Sequence, residues 1–365
     1  MTRATSFFLD VLRLVAAVVV FLAHTAAYWA PHSYATMQVW AHHAVILFFV
    51  LSGYVIAYTT REAHRGVKSY TIARLSRLYS VVVPALLLTA ILWVIGRSME
   101  PEFYAVYERA LPWLRFVASA GFMNEVWRME VSPPTNTPFW SLGYEFWYYV
   151  LFGLALFIRN RRWKWIALGA ASLIAGPKIL LLMPAWLIGV AAYRWRDAGA
   201  PARAVALLGL AGSLAVTAAV LLFVPALPCT PGFHPWYFSG AAISDFLGGL
   251  CWALVIWFFN QTFKGVSGTP FGYQSVRWLA GHTFSLYLYH APIVVLLSAI
   301  FPPELLGPFG PVVLMAIFVV IIGLAAVTES QRPQWTKLFS WLWDRWLMPQ
   351  RRNAARAISD EGGAG

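Results

Sequence analysis

Residues 7–29 read FFLDVLRLVAAVVVFLAHTAAYW, a mostly apolar run that carries Asp10, Arg13 and His24. A helix needs about 20 mostly apolar residues to cross the hydrocarbon core of a bilayer. The run therefore predicts a membrane-spanning helix. A cleavable secretory signal has an uninterrupted apolar core. Because Asp10 and Arg13 interrupt this run early, we expect the helix to stay in the mature protein.

The whole chain shares this apolar character. Of its 365 residues, 60% are hydrophobic and 12% are charged, whereas soluble domains carry about 25% charged residues. The formal net charge is +12. The basic residues lie in short loops between apolar runs, which is the positive-inside pattern and not the basic face of a nucleic-acid-binding protein. We predict a multi-pass protein of the bacterial inner membrane, with membrane lipids and not nucleic acid as partners.

Apolar runs recur along the chain and predict an all-α bundle. A long segment, 97–138, separates the third run from the fourth. Gly176-Pro177 fits either a loop between two short spans or a kink. We predict ten spans: about 7–29, 39–59, 78–96, 139–158, 163–176, 178–194, 204–226, 240–260, 277–300 and 309–328.

The basic residues also orient the predicted bundle. With the N-terminus in the cytoplasm, the cytoplasmic loops hold roughly four times as many Lys and Arg residues as the outer loops. Both termini are therefore predicted to be cytoplasmic. We divide the chain into a transmembrane domain, 1–330, and a cytoplasmic tail, 331–365. In the tail, 331–348 resembles an interfacial amphipathic helix, and 358–365 is predicted to be disordered.

Ionisable residues inside a span usually face a cavity or a partner. On the first predicted span, which we call helix 1, Asp10, Arg13 and His24 share one face. Eleven residues at 100° each bring Arg13 and His24 within about 20° of one another. His24 lies about 16 Å further along the helix than Arg13. This face is a candidate path for a substrate from the charged end of the helix, at Asp10 and Arg13, to the imidazole of His24. A hydrogen-bonded bundle histidine is the alternative for His24.

Two further segments carry polar side chains at helical spacing. Arg74 and Arg77, in the loop after helix 2, are three residues apart, so they project from the same side of a helix start and suit a phosphate ligand. Ordinary positive-inside topology would explain them equally. Ser141 and Glu145 are four residues apart in an aromatic run, so they share a helix face. For Glu145, a structural pair with an arginine is the alternative.

The histidines outside helix 1 give weaker signals. His282, Ser285 and Tyr289 fall on one face of a predicted helix, with His290 beside it. Such residues also serve as hydrogen-bonding links between helices. His32, His42 and His43 gather near the outer ends of helices 1 and 2, but no spacing matches a metal-ligand set. No metal site is predicted.

Taken together, these segments resemble the acyltransferase-3 family of integral membrane acyltransferases, over roughly residues 6–328. The matching segments, in order, are Leu9-Asp10-Val-Leu-Arg13 with His24, Phe48-Phe-Val-Leu-Ser52-Gly-Tyr54, Arg74-Leu-Ser-Arg77-Leu-Tyr79, Trp140-Ser141-Leu-Gly-Tyr-Glu145-Phe-Trp-Tyr-Tyr149 and Ser285-Leu-Tyr-Leu-Tyr289-His290-Ala-Pro292.

The resemblance implies transfer of an acyl group from a cytoplasmic acyl-CoA, with acetyl-CoA as the first candidate, to a hydroxyl of a carbohydrate or lipid-linked glycan. No bound cofactor is expected. Arg13, Arg74 and Arg77 are the candidate donor-binding residues. His24 would act as a base or accept the acyl group, with Glu145 and Asp10 as further catalytic candidates.

The same resemblance suggests a pocket around these residues. Its candidate lining is Ser52, Tyr54, Trp140, Ser141, Ser285, Tyr289 and His290. A homodimer remains open. Two other functions stay in view, a transporter or flippase of a glycan or glycolipid, and a non-catalytic subunit of a polysaccharide assembly complex.

The predicted orientation can be tested by cysteine labelling in a variant that lacks Cys229 and Cys251. A cysteine at Ser69 should react with a membrane-impermeant maleimide only after the cells are permeabilised. A cysteine at Glu102, on the predicted outer side, should react in intact cells and serves as the control. Labelling at Ser69 from outside intact cells would contradict the orientation.

Overall fold

The computed structural model describes residues 1–62, 66–199, 201–232, 234–266, 268–301 and 309–346, and the predicted all-α architecture is confirmed for them. The helices are α1 (Arg3–Trp29), α2 (Tyr34–Glu62), α3 (Val67–Met99), α4 (Pro101–Tyr104), α5 (Pro112–Ala120), α6 (Trp140–Phe157), α7 (Arg161–Ala175), α8 (Pro177–Arg194), α9 (Arg203–Phe223), α10 (Ala242–Thr262), α11 (Tyr273–Gly281), α12 (Thr283–Ile300), α13 (Gly310–Glu329) and α14 (Arg332–Trp346).

Seven stretches of the described chain are long and apolar enough to cross a membrane, or eight if the bent pair α7–α8 is one span. The seven are α1, α2, α3, α9, α10, α12, and α13 continuing into α14. Helix α6 has 18 residues, but Glu145 and several Tyr and Trp residues lower its mean hydropathy. The number of ten spans and the cytoplasmic placement of both termini stay predictions.

The two short predicted spans meet at a sharp corner. Helices α7 and α8 are bent by 116°, and Gly176 between them has a φ of 83°. A side chain is strained at such an angle. A Cβ at Gly176 would also lie 2.6 Å from the backbone nitrogen of Trp127. Glycine therefore permits the corner, and Pro177 suits the first turn of α8.

Two predicted boundaries were wrong. Helix α3 begins at Val67, so Arg74 and Arg77 lie about two and three turns inside a helix and not in the loop before it. Hydropathy missed this because the first turns of α3 are rich in polar residues. The predicted span 277–300 is interrupted at His282, between α11 and α12. Gly281 weakens the helix at that point.

The predicted amphipathic helix of the tail is α14, and it packs against α3. Trp335 and Phe339 contact the ring of Tyr79, with centroid distances of 6.1 Å and 5.4 Å. Lys68 Nζ lies 2.6 Å from Asp344 Oδ1. Helix α14 is thus part of the wall of the bundle. The predicted disorder of 358–365 lies outside the described residues.

Helices α2 and α8 touch through their backbones near the centre of the bundle. A Cβ at Gly53 would lie 2.0 Å from the carbonyl oxygen of Trp186, and one at Gly189 would lie 1.9 Å from that of Val50. Small residues allow this close approach between membrane helices. The contact fixes the position of Ser52, which lies beside Gly53 and faces the cavity described below.

Replacing Gly189 with alanine should therefore force α2 and α8 apart. We expect Gly189→Ala to destabilise the protein by about 1–3 kcal/mol, as overpacking does, and to lower its melting temperature in detergent. The matched control is Gly212→Ala in α9, where nothing lies within 4 Å of the new Cβ. Equal melting temperatures for the two variants would contradict this account of the contact.

Candidate active site

A cavity of about 290 Å³ lies inside the bundle, with walls from α1, α2, α3, α6, α11, α12 and α14. It brings together six of the residues that the sequence singled out. Its polar lining is Arg13, Ser52, Thr59, Arg74, Arg77, Ser141, Glu145, Tyr149, Thr283, Tyr287 and Arg332.

Arginines dominate the charge of this cavity. Arg13 lies 3.4 Å from Asp10 through its Nη1 atom, as the helical spacing predicts, although Asp10 itself does not line the cavity. The guanidinium carbon of Arg74 lies 5.7 Å from the centre of the Tyr149 ring. The Nε atom of Arg74 is buried without a hydrogen-bond partner among the described residues.

The fourth arginine, Arg332, was missed by the sequence analysis. It was assigned to the cytoplasmic tail, yet α14 places it in the lining. Its position directly after the last apolar run was the signal in the sequence that it could lie close to the bundle. Four guanidinium groups face one carboxylate, that of Glu145, across a small volume. Like charges at such a site repel unless an anion is present, so the cavity is suited to a ligand with several negative charges.

Glu145 is held by hydroxyl groups. Ser52 Oγ donates a hydrogen bond of 2.6 Å to Glu145 Oε1, and Tyr149 Oη donates to the same oxygen. Trp186 Nε1 in turn donates to Ser52 Oγ at 3.2 Å. Among the described residues Glu145 forms no ion pair, so a structural Glu–Arg pair is not what holds it. The carboxylate is fixed in place and faces the cavity.

His24 pairs with His290. The Nδ1 atom of His24 lies 3.0 Å from Nε2 of His290, and the two ring centroids are 5.0 Å apart. His290 is completely buried, and His24 is partly buried. The sequence named both residues but gave no reason to pair them, because they are far apart in the chain.

The hydrogen bonds assign the neutral tautomers of this pair. His290 Nδ1 lies 3.0 Å from the carbonyl oxygen of Leu286, so it carries the proton and leaves Nε2 as an acceptor. His24 Nδ1 lies 3.0 Å from the carbonyl oxygen of Val20 and from that acceptor nitrogen. Since both neighbours accept, His24 Nδ1 carries its proton. Its Nε2 atom therefore has the lone pair of a base.

The histidine pair does not line the cavity, but it lies near Tyr287, which does. The rings of Tyr287 and His290 are 6.2 Å apart. Tyr287 Oη donates to the carbonyl oxygen of Pro138 and accepts from Ser141 Oγ, both at 2.9 Å. Glu145 was a candidate to orient His24, but no hydrogen bond joins these two side chains among the described residues. His290 is the partner that orients His24.

Two predicted pocket residues on α12 link helices instead. Ser285 Oγ donates to Glu329 Oε1 at 2.6 Å, and Tyr289 Oη lies 2.7 Å from Thr328 Oγ1. Both contacts join α12 to α13. Neither residue lines the cavity.

Tyr54 and Trp140 also lie outside the cavity lining. Tyr54 is fully buried and accepts a hydrogen bond of 3.2 Å from Asn260 Nδ2. Trp140 stacks on Phe238 at a centroid distance of 4.2 Å. Both side chains pack the bundle around the site without facing it.

The fold and this geometry define a class, a helical integral membrane protein with an arginine-lined cavity beside a histidine pair. Comparison with known sequences gives the family. Residues 6–328 match a family described as an acyltransferase domain, and the chain belongs to this acyltransferase-3 family.

One similar protein is an acyltransferase, MdmB, from Streptomyces mycarofaciens. The two chains are 31% identical over 151 residues, which is 39% of this chain. The matched part spans 36% of the length of that relative. No solved structure shows a significant match to the chain.

Proposed function

We propose that this protein transfers an acyl group from acyl-CoA to a hydroxyl group of a carbohydrate or glycosylated acceptor. The observation that carries the proposal is the arginine-lined cavity next to the His24–His290 pair in a member of an acyltransferase family. Acetyl-CoA is the donor we propose first, and the bacterial inner membrane is the proposed location. No other cofactor is invoked.

The donor's phosphates are the proposed ligands of the arginines. Coenzyme A carries a pyrophosphate and a separate phosphate, and arginine binds such groups with two parallel hydrogen bonds. Arg13, Arg74, Arg77 and Arg332 come from three different helices and face one cavity. The unpaired Nε atom of Arg74 would gain an acceptor in the complex. A buried donor without a partner costs about 1–3 kcal/mol, which a bound phosphate would recover.

The cavity is too small for the whole donor. Ligand pockets usually measure about 300–1,000 Å³, and this one measures about 290 Å³. It therefore suits part of the molecule, with the nucleotide toward the cytoplasm and the narrow pantetheine arm inside. In this proposal the acyl end reaches His24 past Tyr287, the lining residue whose ring lies 6.2 Å from that of His290.

His24 is the proposed general base. Its Nε2 atom takes the proton from the acceptor hydroxyl, and the oxygen attacks the thioester carbonyl. The carbon–sulfur bond then breaks, and the CoA thiolate leaves and takes up the proton. His290 holds the His24 ring through Nδ1, so Nε2 stays available. Direct transfer is the simpler route, and transient acylation of His24 is the alternative.

Glu145 and Asp10 are given supporting roles. Glu145 faces the cavity while Ser52 and Tyr149 hold it, so its carboxylate can accept a hydrogen bond from an amide of the pantetheine arm. Asp10 holds Arg13 at the edge of the cavity through the contact at 3.4 Å. In this assignment neither carboxylate touches the reacting atoms.

Removing Arg332 should weaken donor binding. A charge-assisted hydrogen bond contributes about 1.5–3 kcal/mol, so Arg332→Gln should raise the Kd for CoA roughly ten- to a hundredfold. Isothermal titration of the purified protein with CoA measures this directly.

The matched control for that titration is Arg345→Gln on the same helix. Arg345 packs on Trp341 at 5.2 Å and does not line the cavity, so its removal should leave the Kd unchanged. If the two variants bind CoA equally well, Arg332 has no part in holding the donor.

Replacing His24 should abolish transfer without affecting donor binding. Glutamine forms hydrogen bonds but cannot accept a proton at neutral pH. Losing a general base costs about 10²–10⁴-fold in rate. Acyl transfer by purified His24→Gln at saturating donor should fall by that amount, while the Kd for CoA stays at the wild-type value.

His282→Gln is the control for this measurement, because the His282 side chain is partly exposed, bonds to the carbonyl oxygen of Trp278 in the preceding helix and does not line the cavity. It should transfer at the wild-type rate. A His24→Gln rate within about threefold of wild type, far short of the expected loss, would show that His24 is not the base.

A further inference from the structure

A second cavity lies between α3 and α6, and its lining is almost entirely apolar. Its volume is about 350 Å³. Leu75 and Leu78 line it from α3, and Val150, Leu154 and Phe157 line it from α6. We call this cavity the α3–α6 groove. Because an apolar surface of this kind is best covered by another apolar group, the groove is suited to a hydrocarbon ligand.

The floor of the groove is fixed by close packing of the two helices. Tyr70 Oη donates a hydrogen bond of 2.8 Å to the carbonyl oxygen of Tyr149, and the Tyr70 ring lies 5.3 Å from that of Phe157. A Cβ at Gly153 would lie 2.9 Å from the Tyr70 ring. The groove is therefore a built feature of the fold.

The length of the groove matches one leaflet of a bilayer. Its α3 side runs from Val67, the first residue of the helix, to Leu78. Eleven residues at 1.5 Å each span about 16 Å. Half of a hydrocarbon core of about 30 Å is about 15 Å. A groove that starts at the helix end and runs one leaflet inward has the dimensions of a lipid chain.

Basic residues flank the interfacial end of the groove. Ile158 lines the groove at the end of α6, and Arg159, Arg161 and Arg162 follow it directly. All three arginines are exposed. Within the described part of the chain, none of them forms an ion pair with a carboxylate. Clusters of basic residues at a membrane surface attract anionic lipid headgroups.

We propose that the α3–α6 groove binds one anionic glycerophospholipid of the adjacent leaflet. One hydrocarbon chain lies between α3 and α6, and the phosphate headgroup lies on Arg159, Arg161 and Arg162. In the predicted orientation this is the cytoplasmic leaflet. Charge complementarity at one end and an apolar lining along the rest favour this occupant over a free anion or an uncharged lipid.

The bound lipid would form the far side of the wall of the first cavity. Arg74, Leu78 and Tyr149 line both cavities, and Tyr149 donates a hydrogen bond to Glu145. The lipid thus packs behind the residues that face the proposed donor site. The binding itself does not depend on the transfer reaction.

Native mass spectrometry can count the lipids retained by the protein. The purified full chain is incubated in detergent with equal amounts of phosphatidylglycerol and phosphatidylcholine of the same chain lengths. Wild type should retain one phosphatidylglycerol, with a roughly tenfold or greater preference over phosphatidylcholine.

Two variants test the binding of the hydrocarbon chain and the binding of the headgroup separately. Leu154→Trp should fill the groove and abolish retention of the lipid. Its matched control is Leu156→Trp, on the same helix, because Leu156 is 41% exposed and does not line the groove. Arg159→Gln/Arg161→Gln/Arg162→Gln should remove the preference for phosphatidylglycerol. The control for charge is Arg194→Gln/Arg203→Gln, which should keep it.

Three results would overturn the proposal. Retention of phosphatidylglycerol by Leu154→Trp at the wild-type level would show that the groove is not the site. Equal retention of both lipids by wild type would show binding without headgroup recognition. Equal loss in the Leu156→Trp control would show a general loss of lipid from the bundle. A failure of acyl transfer leaves this lipid count unaffected, so the two proposals are tested separately.

Discussion

A guanidinium group inside a membrane bundle is stable only where water, a carboxylate or a bound anion offsets its charge. The organisation of this protein around its arginine-lined cavity follows from that constraint. Arg13 has Asp10 beside it, at 3.4 Å. Arg74 and Arg77 lie on α3 and face the same space, together with Arg332. A cavity that admits water or an anion is therefore a requirement of these side chains as well as a property of the packing.

The same constraint explains why the histidine pair stands apart. A base that gains a proton becomes a cation, and nearby arginines oppose that step. Tyr287, fixed by Ser141 and Pro138, lines the cavity, and its ring lies 6.2 Å from that of His290. Under the proposed function, the arginines bind the negatively charged donor, and the separate histidine pair takes up a proton.

Helical periodicity predicts which site residues share a face of one helix. It does not predict the contacts between helices that complete the site. Spacing along one helix placed Asp10 beside Arg13, and the structure has that contact. Spacing could not reveal the partner of His24, because His290 meets it only when α1 and α12 pack together. Hydropathy likewise does not show that α3 begins at Val67, because the first turns of this helix are rich in polar residues.

The packing of α14 against α3 has a consequence for biosynthesis. About 255 residues separate Arg77 from Arg332, which corresponds to roughly 13–50 s of translation at about 5–20 residues per second. Throughout that interval the nascent chain holds three of the four arginines and lacks the last wall of the cavity. A ribosome that stops before α14 leaves a chain with every family motif in place and an incomplete cavity. The bundle is assembled from its N-terminus, but the cavity is completed only by the last described helix.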